Sequence, residues 1–597
     1  MGVSGHGHPP GQPLCRDQGP DQRERSDTIE ATINEKKFLI DFDHENVLRI
    51  LDFVVQPDDK NSTGYIVMEY VDGKSLREII KMAAENERPL PAVDVVRYGL
   101  QILSALDYVH GRGYVYCDLK PDNVIHQRHR IKLIDLDAVC PINFRGDVWV
   151  TEFYSVPTEE RKLRGTQVDM DLYSLGKTLN ELLTASVEGA PRASPGPLSP
   201  GIDSLKLTLD RATEDRARRF PTAADMREQL EGVLRQLTAL GGAKLTPVPS
   251  ARFTAPAELL DDGLGQPPAL DTWTDAPAGA AVPRFRALAD GRPASPLVAL
   301  RLPGTAPDRA DPAAAFLAGM TTTDPDRLLT ELGNHRPSPE IELARCRAHL
   351  VLRQYEEAGQ CLARAERATG PADDWRVLWH RALLATHQQR ITDAGELFTR
   401  VREILPGELV PRLALGYCAE QRGEHARAAD HYRAVWRTDR AAASAAFGLA
   451  RTLLAGGDRD GAVDILGEVP PVSRHYDAAQ IAAVRMRVGR LGADPDDGRP
   501  HTADVVDAVR RLEPAGAGVT WVRLVTIVRQ AALELLRANG DPDELPPGEV
   551  LGSPVPEHGL RLRLERSFRE LAGQAEDDDQ YGTLLDLAYA VRPRTRW

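Results

Sequence analysis

Residues 116 to 123 read Tyr-Cys-Asp-Leu-Lys-Pro-Asp-Asn, and residues 131 to 137 read Ile-Lys-Leu-Ile-Asp-Leu-Asp. Together they hold four side chains suited to one chemistry. Phosphoryl transfer is mostly positioning and charge neutralisation: an Asp orients the substrate hydroxyl, an Asn and a second Asp hold Mg²⁺, and a Lys meets the transferring phosphate of ATP. Asp118, Asn123, Asp135 and Lys120 can fill those places. The same chemistry ordinarily adds a glycine-rich loop over the phosphates and a strand Lys paired with a Glu on the next helix. Residues 1 to 34 contain no Lys, and Gly2-Val-Ser-Gly5-His-Gly7 lacks both a preceding strand and the spacing of such a loop. His6 and His8 beside it carry no metal-site pattern.

These groups need elements to hold them. Residues 1 to 26 are Gly, Pro, His, Gln and Arg with almost no apolar content, too little to offset the entropy of ordering, and are expected to be disordered. Asp27 and Glu30 form a capping-box pattern, and Ile29, Ile33 and Ile40 recur at helical spacing, predicting a helix to about residue 41 that carries Glu35. Strands are expected at Val47 to Val55 and Tyr65 to Val71, and long amphipathic helices at Ser75 to Glu85 and Val93 to Arg112. Ala185 to Gly201 is rich in Pro, Gly and Ser and is expected as a surface loop. A helix follows at about Thr222 to Leu240. The stretch after it, with many Pro, Gly and Ala, predicts a linker lying against the domains.

From about residue 338 the pattern is helical and repeats. Ala382, Gly416 and Ala450 are 34 apart, as are Ala394, Ala428 and Ala462; Phe398, Tyr432 and Leu466 keep the interval, and so do Gly423 and Gly457. An imperfect earlier copy has Ala348, Ala358 and Leu362, with a turn two residues shorter. Small residues let paired helices approach while the bulky one fills the gap, as in tetratricopeptide repeats. Helices at about 502 to 512, 519 to 539, 557 to 574 and 578 to 591 are expected to cap the array.

A chain of 597 residues exceeds one ordinary core, so at least two domains are expected. A formal charge of −14 argues against nucleic acid as a partner. Six cysteines lie far apart with no C-x-x-C pair, which suits reduced thiols in a cytoplasmic protein. No apolar run is long enough for a membrane span.

The Asp118 to Asp135 set resembles eukaryotic-type serine/threonine protein kinases. More narrowly, Pro406-Gly407-Glu408-Leu409, Ala445-Ala446-Phe447-Gly448-Leu449-Ala450-Arg451 and His558-Gly559-Leu560-Arg561-Leu562 resemble the actinobacterial protein kinase G family (PknG type), in which tetratricopeptide repeats follow a kinase domain. The resemblance covers about residues 28 to 597. It implies Asp118 as catalytic base, Lys120 at the γ-phosphate, and Asn123 and Asp135 as Mg²⁺ ligands. Met68, Glu69 and Val71 would be the gatekeeper and hinge against adenine, and Glu35 the helix Glu. Asp171 would tie down the catalytic loop, and Arg219 would be the late Arg of the C-lobe. It also implies protein substrates, among them forkhead-associated-domain proteins, and a homodimer through the repeats, whose concave surface would bind a peptide or partner chain.

Several positions depart from the kinase pattern. Tyr116 and Cys117 replace His and Arg, so an activation-loop phosphate has no basic pocket; Cys117 is expected as a small packing residue. Asp137 replaces a Gly and is expected to tolerate left-handed angles. Val156-Pro157-Thr158 replaces Ala-Pro-Glu, leaving Glu159 as the expected partner of Arg219. The family's N-terminal C-x-x-C module is absent, and the short lead before Glu35 implies a start downstream of the family's.

The expected fold class is an α+β protein-kinase-like domain, with an incomplete N-lobe lacking the first strands and Gly-rich loop, followed by an all-α tetratricopeptide-repeat solenoid. The expected boundaries are a tail at 1–26, the kinase domain at 27–240 (N-lobe 27–71, C-lobe 72–240), a linker at 241–335, repeats at 336–490 and a helical cap at 491–597. The expected activity is transfer of the ATP γ-phosphate to protein Ser and Thr, slowed by the missing clamp. The alternative is a pseudokinase scaffold that binds proteins through its repeats.

Overall fold

The computed structural model describes residues 36–56, 63–85, 89–187, 196–256, 258–274, 288, 291–370, 373–491, 498–512, 518–539, 549–550, 553–554 and 557–593. The tail, Glu35 and the expected helix before residue 36 lie outside the described residues; the end of that helix, Lys37–Asp41, is a short 3-10 turn that buries Leu39 rather than a continuing α-helix. The chain divides into two compact units, one within Met1–Lys244 with Glu403–Glu408, the other of Leu245–Arg402 and Leu409–Trp597.

The first unit is α+β. Strands β1 (Ile50–Gln56) and β2 (Thr63–Met68) pair antiparallel, Ile50 opposite Met68 and Val54 opposite Tyr65. The first begins later than its β-rich run because Asn46 to Leu48 are spent elsewhere. Leu48 N–H donates to Leu133 O and Leu133 N–H to Asn46 O, both at 2.8 Å, bridging Val47 to Leu133 in parallel. β3 (Lys74–Ser75), β5 (Val124–Gln127) and β6 (Arg130–Leu133) form a small sheet in that order, and β4 (Tyr114–Val115) pairs with β7 (Cys140–Pro141).

Helices supply the bulk. α1 (Leu76–Glu85) leads to α2 (Ala92–Gly111), which starts after Pro91 and buries Val95, Val96, Ile102, Leu103, Leu106 and Val109 at helical spacing. α3 (Thr158–Arg164), α4 (Val168–Val187), α5 (Ser199–Thr213) and α6 (Ala223–Leu240, capped by Thr222) complete the unit. One core joins Leu39, Phe42 and Val47 to Val124, Leu133, Leu175, Leu209 and Leu230. The loops between β4 and β7 are therefore carried on rigid elements.

The second unit is nearly all helix. Short helices α7 (Asp271–Thr274), α8 (Ser295–Arg301), α9 (Ala314–Ala318) and α10 (Pro325–Gly333) precede five helix pairs. The pairs are α11 and α12 (Pro339–Val351, Tyr355–Thr369), α13 and α14 (Trp375–His387, Ile391–Ile404), α15 and α16 (Val410–Gln421, His425–Thr438), α17 and α18 (Ala443–Ala455, Arg459–Gly467), and α19 and α20 (Tyr476–Val488, Thr502–Leu512). Ala382, Ala394, Ala428, Ala450 and Ala462 are fully buried, and the Tyr432 ring lies where a Cβ at Gly416 or Gly448 would have to be. α21 (Val519–Asn539), α22 (Glu557–Ala572) and α23 (Asp578–Val591) continue the stack, with Val484 and Val505 packed against Val525, Val528 and Leu560.

The groove expected to receive a peptide already carries the chain's own segment. Arg347 donates to Leu300 O and Leu302 O, and Trp379 Nε1 to Pro303 O. Tyr417 OH donates to Ser295 Oγ and lies 3.1 Å from Pro293 O, Arg451 donates to Leu260 O, and Arg485 to Gln266 O. These five donors stand on the first helices of the five successive pairs, so Leu260, Gln266 and the described stretch 295–303 lie against that face. The cause is backbone chemistry: a Pro- and Gly-rich strap exposes unpaired carbonyls, and Arg, Trp and Tyr satisfy them. Among the described residues no helix is long and apolar enough to cross a membrane.

Candidate active site

The loop from Tyr116 to Asn123 connects β4 to β5 and is held from beneath by α4. Asp171, fully buried near the start of α4, accepts the amide of Tyr116 on Oδ2 and of Cys117 on Oδ1, each at 2.8 Å. His110 Nε2 lies 2.8 Å from the same Oδ2. Two amides aimed at one carboxylate set the loop's path, and Cys117 adopts φ 73 to make the turn. Asp118 then projects from a backbone fixed by a side chain 53 positions later in sequence.

Asp118 meets three neighbours. Lys120 Nζ lies 2.6 Å from Oδ2, Asn123 Nδ2 donates to Oδ2 at 3.1 Å and to Asp118 O at 2.9 Å, and Thr151 donates to Oδ1 from both N–H (3.0 Å) and hydroxyl (2.8 Å). Lys120 Nζ also reaches Thr151 Oγ1 at 3.0 Å. Asp135 is brought alongside by the backbone. Ile134 N–H donates to Asn123 O at 2.9 Å, and the Tyr116 hydroxyl donates to Ile134 O. Burial holds the Tyr116 phenol well above its ordinary pKa, so it remains a donor.

The metal places can be tested on these contacts. Asn123 spends its amide NH₂ on Asp118, which leaves Oδ1 free to accept a cation. The exposed Asp135 carboxylate makes no hydrogen bond or ion pair among the described residues, and its backbone is left-handed at φ 60. Two hard oxygens beside open solvent fit Mg²⁺, which keeps waters and phosphate oxygens in its other positions. Among the described residues no cluster of three or more His, Cys, Asp or Glu offers a rival metal site.

The expected hinge is built differently at each residue. Met68 closes β2 and is 47% exposed. Glu69 gives its N–H to Arg49 O at 3.0 Å and its carboxylate to Lys132 Nζ at 2.5 Å, so its side chain is committed. Val71, half-buried, makes no hydrogen bond among the described residues, which leaves its backbone for a ligand.

One sequence expectation is corrected, the partner of Arg219, and two others gain detail. Asp137 does not take up left-handed angles; Asp135 and Cys117 do. Arg219 pairs with Glu160 at 2.7 and 3.0 Å rather than with Glu159, and with Asp169 at 3.2 Å. One helical step is 100°, which puts Glu159 on the exposed side of α3. Cys117 does more than pack: its thiol is a hydrogen-bond partner of Cys140 at 3.5 Å.

Thr151 and the group of Arg77, Tyr154 and Glu181 were not found from the sequence. Tyr154 OH receives Arg77 Nη2 and donates to Glu181 Oε2, each at 2.5 Å, fixing the end of the segment that carries Thr151. The available signal was Thr151 and Tyr154 at seven and four residues before Thr158, the end of the Val-Pro-Thr variant.

This α+β core with its two loops is that of a serine/threonine protein kinase domain. Residues 18–240 match the family model described as protein kinase domain, and residues 287–595 match protein kinase G tetratricopeptide repeat. The chain is 33% identical over 581 residues to serine/threonine-protein kinase PknG of Mycolicibacterium smegmatis, covering 94% of this chain and 72% of that protein. It is 34% identical to PknG of Mycobacterium leprae, covering 94% and 73%. Serine/threonine-protein kinase PksC of Streptomyces coelicolor is 29% identical over 264 residues, 40% of this chain and 46% of that one. The chain belongs to the PknG family of serine/threonine protein kinases, with a kinase domain followed by tetratricopeptide repeats.

Proposed function

We propose that this chain transfers the γ-phosphate of ATP to Ser and Thr hydroxyls of protein substrates, with Asp118, Lys120, Asn123 and Asp135 as the working groups. The observation that carries it is the shared hydrogen-bond set of Asp118, Lys120, Asn123 and Thr151, with Asp135 beside it. Asp118 orients the incoming hydroxyl and receives its proton. Lys120, close enough to neutralise Asp118 at rest, is the cation available to a transferring phosphate. Asn123 Oδ1 and Asp135 hold Mg²⁺, whose charge screens the phosphates when bound. The backbone of Val71 is the adenine contact.

The repeats serve docking: of a substrate, including one with a forkhead-associated domain, or of a second copy in a homodimer. Because described residues between 260 and 303 already hydrogen-bond to the first helices of the pairs, such a partner uses another face or displaces them. A cytoplasmic location fits the reduced thiols and the lack of a spanning helix among the described residues. The test is Mg²⁺-dependent phosphorylation of a protein substrate by the purified chain, with Asp118→Ala and Asp135→Ala as controls of unchanged circular dichroism. Transfer lost in both variants supports the assignment. Transfer that survives Asp118→Ala removes it, and nucleotide binding without transfer leaves the scaffold in its place.

A further inference from the structure

Five of the six cysteines lie among the described residues, all buried free thiols. Two of them face each other beside the candidate active site. Sγ of Cys117 and Sγ of Cys140 are 3.5 Å apart. The β4–β7 ladder sets Val115 opposite Cys140, and the left-handed backbone at Cys117 brings the residue two positions on back to the same place. With Val115 and Ala138 the pair forms a small cluster of its own, flanked by Ile142, Val148 and Val150. Phosphoryl transfer uses neither thiol, and any small apolar residue would fill the space.

Both ends of this contact are attached to working parts. Cys117 precedes Asp118 and gives its amide to Asp171. Cys140 follows the loop of Asp135 and Asp137, whose backbone carbonyls at Asp137 and Val139 accept Lys36 Nζ at 2.7 and 3.1 Å.

We propose that Cys117 and Cys140 are an oxidation site, a thiol pair that closes to an intramolecular disulfide and so ties the residue before the catalytic Asp to the strand after the metal loop. The crosslink stands on this geometry alone; only its effect on transfer rests on the kinase assignment. With hydrogen peroxide as oxidant, the Cys140 thiolate attacks one peroxide oxygen, the O–O bond breaks, and water leaves after protonation, giving a sulfenic acid. Cys117 sulfur then attacks that sulfur, the S–O bond breaks, and the hydroxyl departs as a second water with the Cys117 proton. The sulfurs lose two electrons and the two peroxide oxygens gain them. The hydrogen bond from Cys117 lowers the Cys140 pKa, which makes Cys140 the attacking partner. Closing from 3.5 Å to a bond of about 2.05 Å draws the residue before Asp118 toward the strand that follows the Asp135 loop.

The experiment treats the full chain with hydrogen peroxide and maps peptides without reduction. The expected product is a Cys117–Cys140 crosslinked peptide, two hydrogen masses lighter than the separate peptides and released by dithiothreitol. Cys140→Ser loses it, and so does Cys117→Ser, prepared in case the first variant folds poorly as judged by melting. Transfer by the oxidised wild-type chain is expected to fall roughly a hundredfold, since a displacement of about 1 Å costs that much, while oxidised Cys140→Ser keeps its rate. Peroxide that leaves both thiols free, or that converts Cys140 to a sulfinic acid with Cys117 unlinked, overturns the proposal. A crosslink in a chain that shows no transfer when reduced upholds the site and overturns the kinase assignment instead.

Discussion

The hydroxyl of Thr151 donates to Oδ1 of Asp118 at 2.8 Å, across 33 positions of sequence. The Thr151 amide reaches the same oxygen at 3.0 Å, while Lys120 holds the other carboxylate oxygen. One Thr therefore fixes the plane of the carboxylate proposed to meet a substrate hydroxyl. Thr151→Val is expected to lower kcat by roughly 10² with little change in nucleotide KM, because misplacement rather than binding is affected. Thr151→Ser restores most of the rate. Steady-state kinetics on both variants check it, and a Val variant with native kcat would remove the positioning role.

Arg219 is buried and bound bidentately by Glu160, with Asp169 as a second anion. Glu160→Gln leaves the guanidinium short of a charge and is expected to destabilise the first unit by about 3 kcal/mol. Glu159→Gln, on the exposed side of the same helix, is expected to stay within about 0.5 kcal/mol of native. Urea midpoints of the two variants distinguish the pairs.

Two histidines of the repeats are held neutral. Burial lowers His380 to about 4 and His431 to about 3 from the usual 6.5. The unfolded chain then takes up a proton before the folded one does, so each group's contribution is complete above pH 6.5 and falls as pH drops. The expected slope is about 1.4 kcal/mol per pH unit and histidine down to the folded values. Urea melts between pH 7 and pH 4.5 measure it. His431→Leu, which replaces a ring whose Nδ1 has no partner, is expected to flatten the profile.

The turn within successive helix pairs uses one backbone conformation with different residues. Gly423 and Gly457 have φ of 74 and 83, and the equivalent Gln389 has φ 62. A Cβ at Gly423 would meet nothing within 4 Å, so only backbone strain opposes it. Gly423→Ala is expected to cost about 1 kcal/mol, and Gln389→Gly to stabilise by a similar or smaller amount. Thermal melts of the two variants should move in opposite directions.

Much of this was legible because it is local. The 34-residue interval of small and bulky residues is a packing rule written along the chain, and the helices from Thr502 onward follow from periodicity alone. Asp118, Lys120, Asn123 and Asp135 sit within 18 positions of one another, so their order carries their chemistry. Thr151 carries no such local mark, and neither does Glu160 against Glu159, where a single 100° step decides which carboxylate turns inward.

Residue types and intervals by themselves determined the kinase family and the repeat array. Tertiary structure decided what those parts touch: that Thr151 caps Asp118, that residues such as Leu260, Gln266 and Pro303 lie against the first helices of the repeats, and that Cys117 and Cys140 meet. The reason is that hydrogen bonds and thiol contacts act over about 3 Å in space, while local periodicity carries no information on which distant segments will be brought that close.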